Sequence, residues 1–335
     1  MATKYAKDQA KNFSNHIQRV VITGASGHVG SHMLEQLLKS GMHSVTTLTR
    51  VGSKSTFPDG VNVVRVNYDD EASLVSALEG QQFLIITLAF SAPPDTHSKI
   101  VRAAAKAGVP YIMPNVYSSD IIANEKLGTE TMMGPVLRPL ITEIEELGVS
   151  AWVVLVTSLW YQFGLTVGPE FLGFDIKNRK VTLYDDGKTA IQTSTWPQCG
   201  RAVASLLSLK ELPEDDRDTS VTLSRFRNKP VYISSFRVSQ REILDSIERV
   251  TGTTDGDWDI SYEATPDRYQ RGLKMMQQGD MRGHAMAMYA RIFYPNGGGD
   301  YEAKLHNDVI GLENEDLDAA TKVAVEMATS GVGRP

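Results

Sequence analysis

The sequence has only one cysteine, Cys199, among 335 residues. A single thiol excludes an internal disulfide and a zinc site made of several cysteines, and the chain therefore fits a reducing compartment. The seven histidines show no spacing, with each other or with carboxylates, that is typical of metal ligands. We predict a cytoplasmic protein without a metal site.

Long apolar segments and blocks of basic residues are also missing. The longest apolar runs, residues 83–90 and 151–156, are too short to span a bilayer as helices. The charged opening segment contains no apolar stretch of the kind found in a signal peptide. The net charge of -6 gives no basic surface for phosphate backbones. We therefore expect neither a membrane nor a nucleic-acid partner.

Short β-branched runs alternate with helical segments from residue 18 to about residue 163. This alternation is typical of βαβ units and of a parallel sheet that is buried on both faces. It predicts an α/β fold with a Rossmann-type, doubly wound parallel sheet at 18–160, after a polar lead-in at 1–17. The six predicted strands lie at 19–24, 44–50, 61–68, 83–90, 110–117 and 150–156.

Beyond Trp160 the alternation breaks. Residues 179–196 carry Asp186-Gly187 between two short alternating runs, which predicts a β-hairpin or an extended arm. The run at 230–236 resembles a buried strand that returns to the main sheet. We therefore predict that 196–237 complete the Rossmann domain, and that 161–195 and 238–335 form a smaller C-terminal α+β substrate lobe.

The first predicted strand runs directly into a glycine-rich turn, residues 24–30, with GxxGxxG spacing. Such a turn lets backbone N–H groups approach a pyrophosphate, and the helix that follows adds the partial positive charge of its N-terminus. A strand before the turn and a periodic helix after it are the context that the motif requires. The predicted pyrophosphate-binding residues are Gly24, Ser26, Gly27, His28, Val29 and Gly30.

The second strand lacks the acidic residue that would bind the ribose hydroxyls of NAD. It ends instead in Arg50, followed by Ser53 and Lys54. A guanidinium fork, an ammonium and a hydroxyl suit the 2′-phosphate of NADP, so NADP(H) is the predicted cofactor. The alternative, a solvated arginine at a strand end, does not explain the missing acid.

With the glycine turn, Arg50, and the segments at 67–80 and 97–115, the sequence resembles the NmrA-like, isoflavone-reductase-like branch of the atypical short-chain dehydrogenases. The segments 174–209 and 228–244 resemble the fungal CipA-like members of that branch. The resemblance implies hydride transfer from NADPH to a phenylpropanoid-like or other conjugated small molecule. It also places Phe90 and Asn115 near the nicotinamide ribose or ring.

The catalytic groups of this family are missing from their expected places. The YxxxK pair of ordinary short-chain dehydrogenases occurs only at Tyr184–Lys188, on the predicted hairpin turn, and we interpret it as coincidence. The reductase branch has a lysine on the helix before the sixth strand, whereas 131–150 contain none, and Arg138 cannot act as a base. Tyr117 and Tyr161, after the fifth and sixth strands, are the candidate proton donors, and Lys126 and His97 are weaker ones.

These features predict an NADPH-dependent reductase of secondary metabolism, a monomer or homodimer, whose partner is a small-molecule substrate. Hydride would go to an activated C=C or C=O of a small aromatic or polyketide-like metabolite, held over the nicotinamide. Two alternatives remain open because of the missing lysine. One is an NADP(H)-binding redox-sensing regulator without turnover, and the other is a non-redox isomerase or cyclase on the same scaffold.

Overall fold

A computed structural model describes residues 5–295 and 297–331, so the first four residues of the predicted lead-in and the last four of the predicted substrate lobe lie outside the described residues. The strands are β1 Arg19–Thr23, β2 Ser44–Arg50, β3 Asn62–Val66, β4 Phe83–Ile86, β5 Tyr111–Met113, β6 Tyr117–Ser118, β7 Ala151–Val156, β8 Leu159–Trp160, β9 Phe174–Asp175, β10 Lys180–Tyr184, β11 Ala190–Ser194, β12 Lys229–Tyr232, β13 Phe236–Ser239 and β14 Asp259–Glu263. The helices are α1 His28–Ser40, α2 Glu71–Leu78, α3 Thr96–Ala107, α4 Glu125–Glu130, α5 Gly134–Leu147, α6 Tyr161–Thr166, α7 Trp196–Ser208, α8 Gln240–Thr251, α9 Thr265–Gln277, α10 Arg282–Ile292 and α11 Leu317–Ser330.

The main sheet has the strand order β12-β7-β5-β4-β1-β2-β3, and its neighbouring strands pair in parallel. Helices α1 and α7 cover one face, and α2, α3 and α5 cover the other. The predicted Rossmann-type fold is therefore confirmed. Because all these strands run the same way, their carboxyl ends meet at one edge, where ligands of open α/β sheets bind.

Two details of the predicted main sheet differ from the structure. The predicted strand at 110–117 divides into β5 and β6, because Pro114 between them has no N–H to donate to a neighbouring strand. The predicted strand at 230–236 divides into β12, which does return to β7, and β13, which belongs to another sheet.

The predicted hairpin at 179–196 is wrong. Its two strands do not pair: β10 lies between β9 and β14, and β11 lies between β8 and β13. The turn itself is present, since Asp185 and Gly187 have positive φ angles of 52° and 72°. The Asp185 carboxylate, however, accepts hydrogen bonds from the backbone N and Oγ1 of Thr265, at 2.9 and 2.7 Å. This anchor holds the turn against the start of α9, so the chain crosses to a second sheet.

The smaller sheets and helices α6, α8, α10 and α11 surround a second core. After α10 the chain returns to the main sheet, where His306 N donates to Tyr232 O at 2.9 Å and His306 Nδ1 accepts from Tyr232 N at 3.0 Å. The predicted lobe at 238–335 thus sends one segment back over β12. Within residues 5–295 and 297–331, no helix has both the length and the apolar character that a membrane crossing would require.

Helix α7 approaches α1 closely at Gly200. A Cβ atom at this position would lie 2.4 Å from His32 O and 3.1 Å from Gln36 Cγ. We therefore expect Gly200→Ala to lower the free energy of unfolding by about 1–3 kcal/mol, the cost of overpacking, even though alanine favours helices. Urea unfolding measures the loss. Gly256→Ala is the control, because the nearest atom to its Cβ would be 3.8 Å away. An unchanged Gly200→Ala midpoint would contradict this packing.

Candidate cofactor and active site

The glycine-rich turn lies against Thr87, the first residue after β4. Gly24 has a φ of +73°, and a Cβ there would lie 1.8 Å from Thr87 O. A Cβ at Gly30 would lie 2.4 Å from Gly24 O and 2.6 Å from Thr87 Oγ1. Gly27, at the start of α1, has no side chain to cap the helix. The first backbone N–H groups of α1 are therefore available to an anion such as a pyrophosphate.

The remaining residues of the turn have different surroundings. Ser26 and His28 are exposed, whereas Val29 is buried in the core beneath the turn. The Ser26 Oγ accepts a hydrogen bond of 3.2 Å from Ser55 Oγ. The His28 ring stacks on Trp196 with a centroid distance of 4.7 Å. Ser26 and His28 thus lie on the open side of the turn, and the Val29 side chain supports the turn from below.

The end of β2 carries unpaired positive charge. Arg50 and Lys54 are exposed, and neither has an ion-pair partner in the part of the chain that the structure describes. The Ser53 Oγ donates a hydrogen bond to Ser55 Oγ and accepts one from Ser55 N, both at 3.2 Å. Ser53 O accepts a hydrogen bond of 2.8 Å from Arg65 Nη1. Sequence reasoning missed Arg65. Only the register of β3, which sets Thr49 opposite Arg65, brings it to this loop.

Asn115 binds the loop after β4, and Phe90 belongs to the same loop. The Asn115 amide binds the backbone of Leu88, with Oδ1 accepting from Leu88 N at 3.0 Å and Nδ2 donating to Leu88 O at 3.3 Å. Asn115 N donates to His97 Nε2 at 3.5 Å. Burial lowers the pKa of His97 to about 4, so its ring is neutral and can accept this bond. Asn115 therefore positions the loop after β4, and Phe90 in that loop is fully exposed.

The structure separates the two predicted catalytic tyrosines. Tyr161 is completely buried, and its hydroxyl shares a 2.6 Å hydrogen bond with Thr321 Oγ1. Burial also raises the pKa of Tyr161. Tyr161 is a core residue of the small lobe, and its burial argues against the predicted role as a proton donor.

Tyr117 does lie at the carboxyl edge of the main sheet, as β6 pairs beside the end of β7. Its hydroxyl already donates to Ile86 O at 3.0 Å. Burial raises the pKa of Tyr117 well above its usual range, which weakens it as an acid. The proton of Tyr117 therefore serves to hold the end of β4.

Helix α5 carries no lysine, and Arg138 is used for a structural purpose. Its Nη2 donates to Ile121 O at 3.2 Å and to Ile122 O at 2.9 Å. The guanidinium thus fixes the loop that follows β6. The pair Tyr184–Lys188 is no catalytic dyad either, because the buried Tyr184 hydroxyl donates to Phe171 O at 2.5 Å.

Comparison with known sequences agrees with this geometry. Residues 24–142 match a family described as NAD(P)H-binding. A curated relative, oxidoreductase aprR of Aspergillus flavus, is 26% identical over 291 residues, which cover 84% of this chain and 90% of the relative.

Solved structures match nearly the whole chain. The structure of AtPrR2 with NADP+ and (+)pinoresinol superimposes with a TM-score of 0.71 at 16% identity, covering 93% of this chain and 100% of that one. An isoflavone reductase structure gives a TM-score of 0.66 at 17% identity, covering 92% and 99% of the two chains.

The fold and the glycine turn therefore define an NAD(P)H-binding protein of the Rossmann class. Within that class, the chain has the fold of the pinoresinol and isoflavone reductases, in agreement with the resemblance seen in the sequence. Its curated relatives are fungal and bacterial oxidoreductases.

The hydrogen bond from Leu88 N to Asn115 Oδ1 makes a specific prediction about the loop after β4. Asn115→Leu removes the acceptor, so we expect the Leu88 amide to exchange its hydrogen at least tenfold faster, since about 1.4 kcal/mol corresponds to a factor of ten. Asn115→Asp keeps an acceptor and should preserve the protection. Hydrogen exchange read by NMR tests both variants, and equal exchange in all three proteins would refute the positioning role.

Proposed function

We propose that the chain is an NADPH-dependent reductase that transfers hydride to an activated C=C or C=O of a small aromatic or polyketide-like metabolite. The observation that carries the proposal is the pairing of an uncapped glycine turn with the unpaired cations Arg50 and Lys54 at the end of the neighbouring strand. The oxidoreductase names of the curated relatives support a redox reaction.

Arg50 and Lys54 would hold the 2′-phosphate, and the turn at 24–30 would hold the pyrophosphate. A phosphate dianion pairs with a guanidinium through two parallel hydrogen bonds, and an ammonium adds a point charge. Arg65 holds the Ser53 carbonyl and so positions the loop between the two cations. Strand β2, Ser44–Arg50, contains no carboxylate that would repel a phosphate at its end. When bound, NADPH supplies the hydride.

Arg50→Ala should weaken NADPH binding by about 1.5–3 kcal/mol, the range for hydrogen bonds to a charged group, and should leave NADH binding nearly unchanged. Titration calorimetry with both cofactors measures the two losses. Arg217→Ala removes a charge from another exposed arginine and is the control for net charge. Equal losses of NADPH and NADH affinity in Arg50→Ala would refute the phosphate assignment.

Aromatic side chains lie beside the glycine turn and support an aromatic acceptor. Trp160 lies 6.5 Å from Trp196 and 6.1 Å from Phe163, measured between ring centroids, and Trp196 stacks on His28. Flat aromatic compounds bind well to such surfaces.

The activity itself is tested by supplying NADPH with a panel of enones, quinone methides and aromatic ketones. We expect cofactor oxidation with at least one of them and one deuterium in the product from NADPH labelled at the nicotinamide C4. Binding of NADPH without oxidation by any acceptor would favour the redox-sensing regulator. Product formation without cofactor consumption would favour the isomerase or cyclase.

A further inference from the structure

A buried carboxylate at the carboxyl edge of the sheet holds a lysine from a distant part of the chain. Asp120 lies two residues after β6 and is only 2% exposed. Its Oδ2 accepts a 2.6 Å hydrogen bond from Lys304 Nζ, and its Oδ1 accepts one of 3.0 Å from the Tyr232 hydroxyl. A buried carboxylate needs such partners, and here both of its oxygens have one.

This cluster lies next to the turn that follows β7. The backbone N–H groups of Thr157 and Ser158 both donate to Ser118 O, at 3.1 Å, so the loop carrying Asp120 is bonded to that turn. Ser158 has a φ of +53°, a conformation that costs energy in a residue with a side chain and is enriched at active sites. Asp120 and Lys304 therefore belong to the same sheet edge as the glycine turn.

The segment where a catalytic lysine was expected supports this same loop. Arg138 of α5 donates to the carbonyls of Ile121 and Ile122, which directly follow Asp120. Arginine keeps its proton in proteins and so cannot supply one. Its contacts fix the loop that carries Asp120, and Asp120 in turn fixes Lys304.

We propose that Lys304 is the catalytic proton donor of the reductase, in place of the lysine that α5 lacks. This inference rests on the proposed function. Reduction leaves an electron pair on the acceptor oxygen. One N–H bond of the Lys304 ammonium breaks as an O–H bond forms on that oxygen. The neutral amine then regains a proton from water, which can reach the side chain because it is 50% exposed. Asp120 keeps the ammonium in position, and Tyr232 orients Asp120.

Lys304→Arg separates proton donation from the ion pair. Arginine can keep the bond to Asp120, but its pKa is too high for proton donation. We expect kcat to fall by about a hundredfold or more, the usual contribution of a general acid, with NADPH affinity by calorimetry within about twofold of the wild type. Lys322→Arg, at an exposed position of α11, is the control and should keep at least half of the wild-type kcat. Lys126→Arg tests the weaker candidate donor. A full kcat in Lys304→Arg, or a loss only in Lys126→Arg, would overturn the proposal.

Chemical restoration gives an independent check. Lys304→Cys treated with 2-bromoethylamine regains an amine of almost the same length. The other cysteine, Cys199, is completely buried, and burial raises the pKa of its thiol, so alkylation is selective. We expect the untreated variant to be slow and the treated one to recover at least a tenth of the wild-type kcat. A failure to recover, with alkylation confirmed by mass spectrometry, would count against an amine as the donor.

A binding measurement without cofactor tests the same contact. 4-Nitrophenol, an acidic aromatic probe, should bind to the wild type and to Lys304→Arg as the coloured phenolate, and Lys304→Met should lose that signal. A visible spectrum that does not depend on Lys304 would contradict the assignment.

If the wild type oxidises NADPH and Lys304→Arg has the same kcat, only the assignment of Lys304 as proton donor fails. If the wild type oxidises no NADPH with any acceptor, the proposed function fails first.

Discussion

The candidate site depends on the close approach of Thr87, the first residue after β4, to the glycine turn. Thr87 donates from both its backbone N and its Oγ1 to Thr23 O, at 3.1 and 2.7 Å. These bonds leave no space for a side chain at Gly24 or Gly30. The same short segment is held from the other side by Tyr117 and Asn115, which bind Ile86 and Leu88. The predicted pyrophosphate site and the exit of β5 are therefore joined through three consecutive residues of β4 and its loop.

Features that depend on neighbours in the chain could be predicted from the sequence. The glycine turn is recognisable because its strand, its spacing and its helix are contiguous, and Arg50 because it ends the next strand. The turn at Asp186-Gly187 is recognisable for the same reason. Whether that turn makes a hairpin is decided by Thr265, 80 residues away in the sequence. No local pattern carries that information, since register and packing choose the strand partner.

The parts of the candidate site that the sequence did not predict also depend on contacts between residues far apart in the chain. Arg65 reaches Ser53 through strand register, and Lys304 reaches Asp120 across 184 residues of sequence. Tyr161, in contrast, was predicted as a site residue but lies in the core. Its place after the sixth strand suggested the sheet edge, but α6 turns its ring into the core of the small lobe. Proximity in sequence to a functional edge therefore does not determine which way a side chain points.

The chain uses its two kinds of cation for different purposes. Arg50, Arg65 and Arg138 occupy places where a permanent charge or a fixed set of donors is useful. These places are the proposed phosphate site, the Ser53 carbonyl and the carbonyls of Ile121 and Ile122. A lysine can give up its proton and recover it. Lys304 lies on the segment that returns from α10 to β12 and pairs with the main sheet through His306. If this segment supplies the proton, α5 no longer needs a lysine, and Arg138 is free to stabilise the loop that both elements share.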